Sequence, residues 1–136
     1  MKIYFACSIS GGRQDQKIYE ELVDHIQSLG HEVVNAVISR SNITVNDGKR
    51  EARDVYARDT SWIEECDVVI AEVSTPSHGV GFEIGYSLEL SKPVLCCYMA
   101  DRVVSKMILG NPHKDLAINK YQDIAEIKEM INRFLM

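Results

Sequence analysis

The chain has 136 residues, 46% hydrophobic and 26% charged, which fits one globular domain with a sizeable core and excludes a disordered chain. Its formal net charge is −5 with no block of like charges, so neither a nucleic-acid-binding face nor an acidic tail is expected. No apolar run nears the roughly 20 residues of a membrane span.

Met1-Lys-Ile-Tyr-Phe-Ala6 runs straight into a strand pattern. It lacks the apolar stretch and cleavage site of a signal peptide, so a cytoplasmic protein is expected. Cys7, Cys66, Cys96 and Cys97 form no C-x-x-C pair and read as reduced, buried small hydrophobes. His25, His31, His78 and His113 have no metal-ligand spacing, and no metal is expected.

Lys2 to Cys7 reads as a central strand, apolar on both faces. Ser8-Ile-Ser-Gly-Gly-Arg13 is a turn. Asp15 caps or opens a helix with Ile18, Leu22, Ile26 and Leu29 on one face, and Gly30 follows as its C′ residue. His31 to Asn35 is a second strand. The polar segment Ser39 to Lys49, with its Asn46-Asp-Gly48 turn signal, is the longest predicted loop and a candidate lid.

Glu51 to Glu65 reads as a helix with an apolar stripe of Ala52, Val55, Tyr56, Trp62 and Ile63. Asp59 falls inside that stripe. A carboxylate there costs several kcal/mol unless paired. It is either a buried aspartate held by an arginine or a backbone amide, or a carboxylate aimed into a pocket.

Asp67 to Ala71 is a third, β-branched strand. Val80 to Ser91 is a helix ended by Lys92-Pro93, and Val94 to Tyr98 is the fourth strand. A short helix runs from Val103 to Leu109, and a fifth strand lies around Ala117 to Tyr121. Asp123 caps a last helix with Ile124, Ile127, Ile131, Phe134 and Leu135 on one stripe. The alternation predicts a three-layer α/β/α domain over residues 1–136, with a five-stranded parallel sheet of the flavodoxin or Rossmann type.

Ligands in such sheets bind beyond the carboxyl ends of the strands. The turns there are Ser8 to Arg13, Ser74 to Glu83 and Asp101 to Ser105. Gly79-Val-Gly-Phe-Glu-Ile-Gly85 is a dinucleotide fingerprint with one residue too many, after the wrong strand. The first turn lacks the Gly-Lys-Ser/Thr of a P-loop, and no Ser/His/Asp set appears. Glu83 and Asp59 remain. Glu83 alone is explained by the macrodipole of a helix start. Gly81 and Gly85 beside it cost helix stability, which makes sense if a ligand approaches the backbone. A carboxylate pair is what glycosidic bond cleavage requires.

Five blocks, Tyr4–Arg13, Arg58–Trp62, Asp67–Val73, Pro76–Gly85 and Arg102–Ile108, resemble the nucleoside 2-deoxyribosyltransferase superfamily, in particular its 2'-deoxynucleoside 5'-phosphate N-hydrolase branch. The resemblance implies a retaining N-glycosidase acting on deoxynucleoside 5'-monophosphates without a cofactor. Glu83 matches the nucleophile, Asp59 the carboxylate assisting the base and later the water, and Tyr4 the tyrosine orienting Glu83. Ser8, the Gly11-Gly12 turn and Ser77 match the 5'-phosphate cradle, and Ser10, Arg13 and Gly79 beside them are expected to bind substrate. Ser105 matches a serine reaching the phosphate from the neighbouring subunit of a homodimer.

The chain departs from some members at Ser10, where they carry arginine, near Val37, where they carry histidine, and in the 39–49 loop. A deoxyribosyltransferase, a ribonucleotide N-hydrolase of the cytidylate type and a nucleotide-binding sensor are the alternatives. The intact Tyr4, Asp59 and Glu83 argue against the sensor.

Overall fold

A computed structural model of the chain describes residues 1–9, 13–39 and 48–136, with backbone only at residues 13, 14 and 38. Five strands form one sheet: β1 (Lys2–Ala6), β2 (Glu32–Val33), β3 (Val68–Glu72), β4 (Val94–Met99) and β5 (Leu116–Tyr121). The order is β2-β1-β3-β4-β5 and every pairing is parallel. This is the expected three-layer α/β/α arrangement with the flavodoxin strand order.

The helices described in full are α1 (Arg13–Ser28), α2 (Ala52–Glu65), α3 (His78–Glu89), the short α4 (Lys106–Leu109) and α5 (Ile124–Phe134). A 3-10 turn covers Ala36–Ser39. The strand period of two sends alternate residues of β1 to opposite layers. Ile3 and Phe5 join Leu22, Ile26, Ile127 and Ile131 under α1 and α5. Tyr4 and Ala6 join Ile63, Val80, Ile84 and Leu88 under α2 and α3. Both faces of β1 and β3 are dry, which explains their unbroken apolar runs. Each such aliphatic side chain contributes about 1.5–3 kcal/mol by burial. Ile70, 1% exposed at the centre of the sheet, is a position where truncation to alanine costs about 2–5 kcal/mol.

Several boundaries differ from the sequence reading. Helix α3 begins at His78, not Val80, because Ser77 in extended backbone caps it and accepts from Val80 N at 3.2 Å. Helix α4 begins at Lys106; Val103, expected inside it, is 90% exposed ahead of the Ser105 cap. In α2 only Thr60 and Ile63 are buried, and Tyr56 of the expected core stripe is 58% exposed. Asp123 caps α5 as expected and accepts from Glu126 N at 2.9 Å. Gly30 follows α1 at φ +90°, the left-handed C′ geometry.

The strand order reverses between β1 and β3, so the crevice beyond their carboxyl ends is the switch point where such sheets bind ligands. Residues 10–12 and 40–47, and with them most of the expected lid, lie outside the described residues.

Candidate active site

Tyr4 projects from β1 into the α2/α3 layer and is 1% exposed. Its hydroxyl donates to Glu83 Oε2. Burial first, then the charges of Glu83 and Asp59, push the Tyr4 phenol far up, so it stays a proton donor. The two-residue shift of the α3 start puts Glu83 in the second turn, and no acid stands in the first. The dipole effect fades beyond the first turn, so helix capping no longer accounts for Glu83.

Burial pushes the Glu83 carboxyl up to about 7. The Tyr4 hydrogen bond opposes that rise, the Asp59 charge adds to it, and Arg58 opposes it. The Asp59 charge therefore reaches both members of the Tyr4–Glu83 pair. Asp59 comes from the middle of α2, and Arg58 Nε donates to its Oδ1 at 2.8 Å. Their side chains are 19% and 17% exposed. The Arg58 guanidinium lies over the Trp62 ring, 5.0 Å from its centroid. Of the two sequence readings of Asp59, the pairing with an arginine is observed, and its charge also acts on Tyr4 and Glu83.

The other expected site residues distribute as follows. Ser8, just past β1, is 1% exposed, and its Oγ has no hydrogen-bond partner among the described residues. Ser10, Gly11 and Gly12 lie outside the described residues, as does the side chain of Arg13, which opens α1. Gly79 precedes Glu83 by one turn on the same stripe of α3. Ser77 and Ser105 line one cleft of about 830 Å³ with Pro76, Phe82, Val104 and Met107. Tyr4, Asp59 and Glu83 are not among its lining residues. Helix α3 thus shows Glu83 to β1 and α2 and shows Phe82 and Gly85 to the cleft. A Cβ at Gly81 or Gly85 would meet nothing among the described residues, whose packing gives no reason for glycine there.

Glu72 lies one position past the expected end of the third strand at Ala71 and was not singled out from the sequence. It ends β3, is 1% exposed, and accepts from Ser74 N at 3.0 Å and from Ser74 Oγ. Burial pushes its carboxyl up. Ser74 Oγ in turn accepts from Met99 N at 2.8 Å, which ties the β3–α3 turn to the end of β4.

The family model described as "Nucleoside 2-deoxyribosyltransferase" matches residues 3–125. The chain belongs to the nucleoside 2-deoxyribosyltransferase family. Among its relatives, a Methanosarcina mazei protein is 38% identical over 133 residues, covering 98% of this chain and 83% of its own. That relative carries the provisional name 2'-deoxynucleoside 5'-phosphate N-hydrolase 1. A Danio rerio relative named 5-hydroxymethyl-dUMP N-hydrolase is 37% identical over 118 residues, covering 85% of this chain and 82% of its own. A solved Clostridium botulinum CMP N-glycosidase shares the fold with a TM-score of 0.77 at 20% identity, covering 98% of this chain and 99% of its own. The family fold is the five-stranded parallel sheet described above, and the Tyr4–Glu83 pair lies inside the matched region.

Proposed function

We propose that the chain is an N-glycosidase that hydrolyses 2'-deoxynucleoside 5'-monophosphates to free base and 2-deoxyribose 5-phosphate. The observation that carries this is the Tyr4 hydroxyl on Glu83, with the Asp59 charge acting on both. Membership of the family and the N-hydrolase names of the relatives support the substrate class.

The carboxylate of Glu83 attacks C1' while the bond from C1' to the base nitrogen breaks. The departing base takes a proton that Asp59 relays to it from solvent, which leaves Asp59 a carboxylate again. Water then attacks C1' and displaces Glu83, and Asp59 takes the water's proton. Base and sugar phosphate are released with one water consumed, and C1' keeps its configuration. The transition state is oxocarbenium-like, so the Glu83 charge beneath it stabilises it more than the ground state. Tyr4 holds one oxygen of the nucleophile. Arg58 orients Asp59 from the side.

Ser8, Ser10, Gly11, Gly12, Arg13, Ser77 and Gly79 hold the sugar phosphate. A buried Ser8 hydroxyl with no partner among the described residues and the α3 amino end behind Ser77 suit an anion without a broad basic patch. The working unit is a homodimer to which Ser105 comes from the neighbouring subunit. Val103 at 90% and Met107 at 85% exposure beside the cleft give that partner an apolar surface. Free, buried cysteines fit a reducing compartment, and the cytoplasm is the inferred location.

The test is incubation with each deoxynucleoside 5'-monophosphate, each unphosphorylated nucleoside and a ribonucleotide, scored by free base. Base release confined to the deoxynucleoside monophosphates is expected. Base exchange independent of phosphate would make the protein a deoxyribosyltransferase instead. Release from cytidylate alone would move the substrate to ribonucleotides, and binding without turnover would leave a sensor.

A further inference from the structure

The proposed phosphate ligands sit on three separate turns: Ser8 to Arg13 before α1, Ser77 before α3 and Ser105 before α4. No turn by itself fixes its distance from the others. One side-chain cluster joins all three.

Asp15, in the first turn of α1, is 4% exposed. Thr75 Oγ1 donates to its Oδ2 at 2.6 Å. Arg102 Nη2 donates to its Oδ1 at 3.1 Å. Arg102 Nη1 lies 3.5 Å from Asp15 Oδ2 and 3.4 Å from Thr75 Oγ1. Carboxylate, hydroxyl and guanidinium close a ring that joins the start of α1 to the turns before α3 and α4. Each member stands two or three positions from a proposed phosphate ligand: Asp15 from Arg13, Thr75 from Ser77, Arg102 from Ser105. The Glu72–Ser74–Met99 tether braces the middle turn from behind.

Resting on the deoxynucleotide reading above, we propose that Asp15, Thr75 and Arg102 are positioning residues that fix the Ser8–Arg13 and Ser77 turns of the chain's own 5'-phosphate subsite and the turn that carries Ser105 to the neighbouring one. A buried aspartate is stable only when paired, and the ring pairs it with charge-assisted hydrogen bonds of defined direction. Anion recognition by hydroxyls and amides depends on placement within a fraction of an ångström. The ring supplies that placement without supplying attraction, because Arg102 cancels the charge of Asp15. Removing Arg102 alone leaves an unbalanced carboxylate beside a phosphate dianion. Removing Asp15 as well takes the repulsion away.

The experiment uses the full chain and reads calorimetric affinity for inorganic phosphate, kcat and KM for a deoxynucleoside 5'-monophosphate, and melting temperature. Arg102→Met is expected to raise KM and the phosphate Kd tenfold or more, with kcat within threefold of wild type. Asp15→Asn combined with Arg102→Met should recover much of that loss, and Arg102→Lys should stay near wild type. Thr75→Val, which removes only a hydroxyl, should weaken phosphate about threefold and decides the matter if Arg102→Met does not fold. The proposal is overturned by phosphate affinity within twofold of wild type in folded Arg102→Met or Thr75→Val. A double variant no better than Arg102→Met, or a loss in kcat at unchanged KM, overturns it too. A wild-type protein that binds phosphate but releases no base overturns the hydrolase reading alone, and the phosphate affinities still judge the ring. A wild-type protein that binds no phosphate overturns both.

Discussion

The hydroxyl of Tyr4, at the centre of β1, donates to Glu83 Oε2 in the second turn of α3. A strand and a helix of different βα units thus fix one carboxylate oxygen at the point where the sheet order reverses. This contact is the largest influence opposing the rise that burial imposes on Glu83. Tyr4 therefore both fixes one Glu83 oxygen and favours its ionised form.

Tyr4→Phe removes the hydrogen bond and keeps the ring. Turnover of a deoxynucleoside 5'-monophosphate should fall by about 10–100-fold, the scale of a lost oriented donor. The acid limb of the kcat/KM profile should also move to higher pH, because the opposing influence on Glu83 is gone. Pre-steady-state and pH-dependent kinetics check both. A variant with unchanged kcat and an unmoved limb would remove Tyr4 from the mechanism.

Glu83 titrates near 7 in the folded protein against an ordinary 4.5. If Glu83 attacks C1' as proposed, it must be ionised, so kcat/KM should fall as pH drops below about 7. The substrate phosphate ionises near pH 6 on the same limb, and only the enzyme's part should shift in Tyr4→Phe. Stability carries the opposite sign. Between pH 4.5 and about 7 the folded protein holds a proton that the unfolded chain has lost. Rising pH through that window therefore destabilises the fold, and the cost persists above it. Glu83→Gln cannot ionise. It should abolish turnover and add about 1–3 kcal/mol of stability at pH 8, with little gain at pH 4. Thermal melts at both pH values decide this; a variant less stable at pH 8 than wild type sinks the burial argument.

Gly79 stands one turn before Glu83, and a Cβ there would meet only Ser77 Oγ, at an ordinary 3.8 Å. The fold has no objection to alanine, whose helix propensity is better by up to about 1 kcal/mol. If the sugar phosphate lies over this turn, the added methyl meets it. Gly79→Ala should keep or raise the melting temperature while lowering kcat/KM at least tenfold. Unchanged kinetics would take the substrate away from this stripe of α3.

Much of this was legible in the chain because local rules and tertiary context agree. Val68-Val-Ile-Ala71 is β-branched and becomes a strand dry on both faces. Asp123 before an apolar stripe becomes a cap. Tyr4 and Glu83, 79 positions apart, could be paired from sequence only through the family blocks, since no periodicity links them. Asp15 and Arg102 were less visible. An acid in a first helical turn is already explained by the dipole, so nothing local demands a partner 87 positions away. Tyr56 was misassigned because an aromatic in an apolar stripe looks like core, whereas here it packs at the surface against Phe82, ring centroids 5.9 Å apart.

The assembly can be tested through the chemistry. Ser105 is exposed and shares the cleft with Ser77 on the flank of α3 away from Glu83. If it serves the neighbouring subunit, each working site takes Glu83 from one chain and Ser105 from the other. Glu83→Ala should be inactive, and Ser105→Ala should raise KM for the monophosphate about tenfold, the scale of one lost hydrogen bond to a charged oxygen. In a refolded equal mixture, half of the dimers are mixed, and each mixed dimer holds one site with both native residues. That site should show the wild-type KM although neither parent does. Without shared sites, mixing yields only the kinetics of the two parents added together. Steady-state kinetics of the refolded mixture, beside sedimentation of each variant, separates the two outcomes. A mixture with no low-KM component places Ser105 in its own subunit's site or in none.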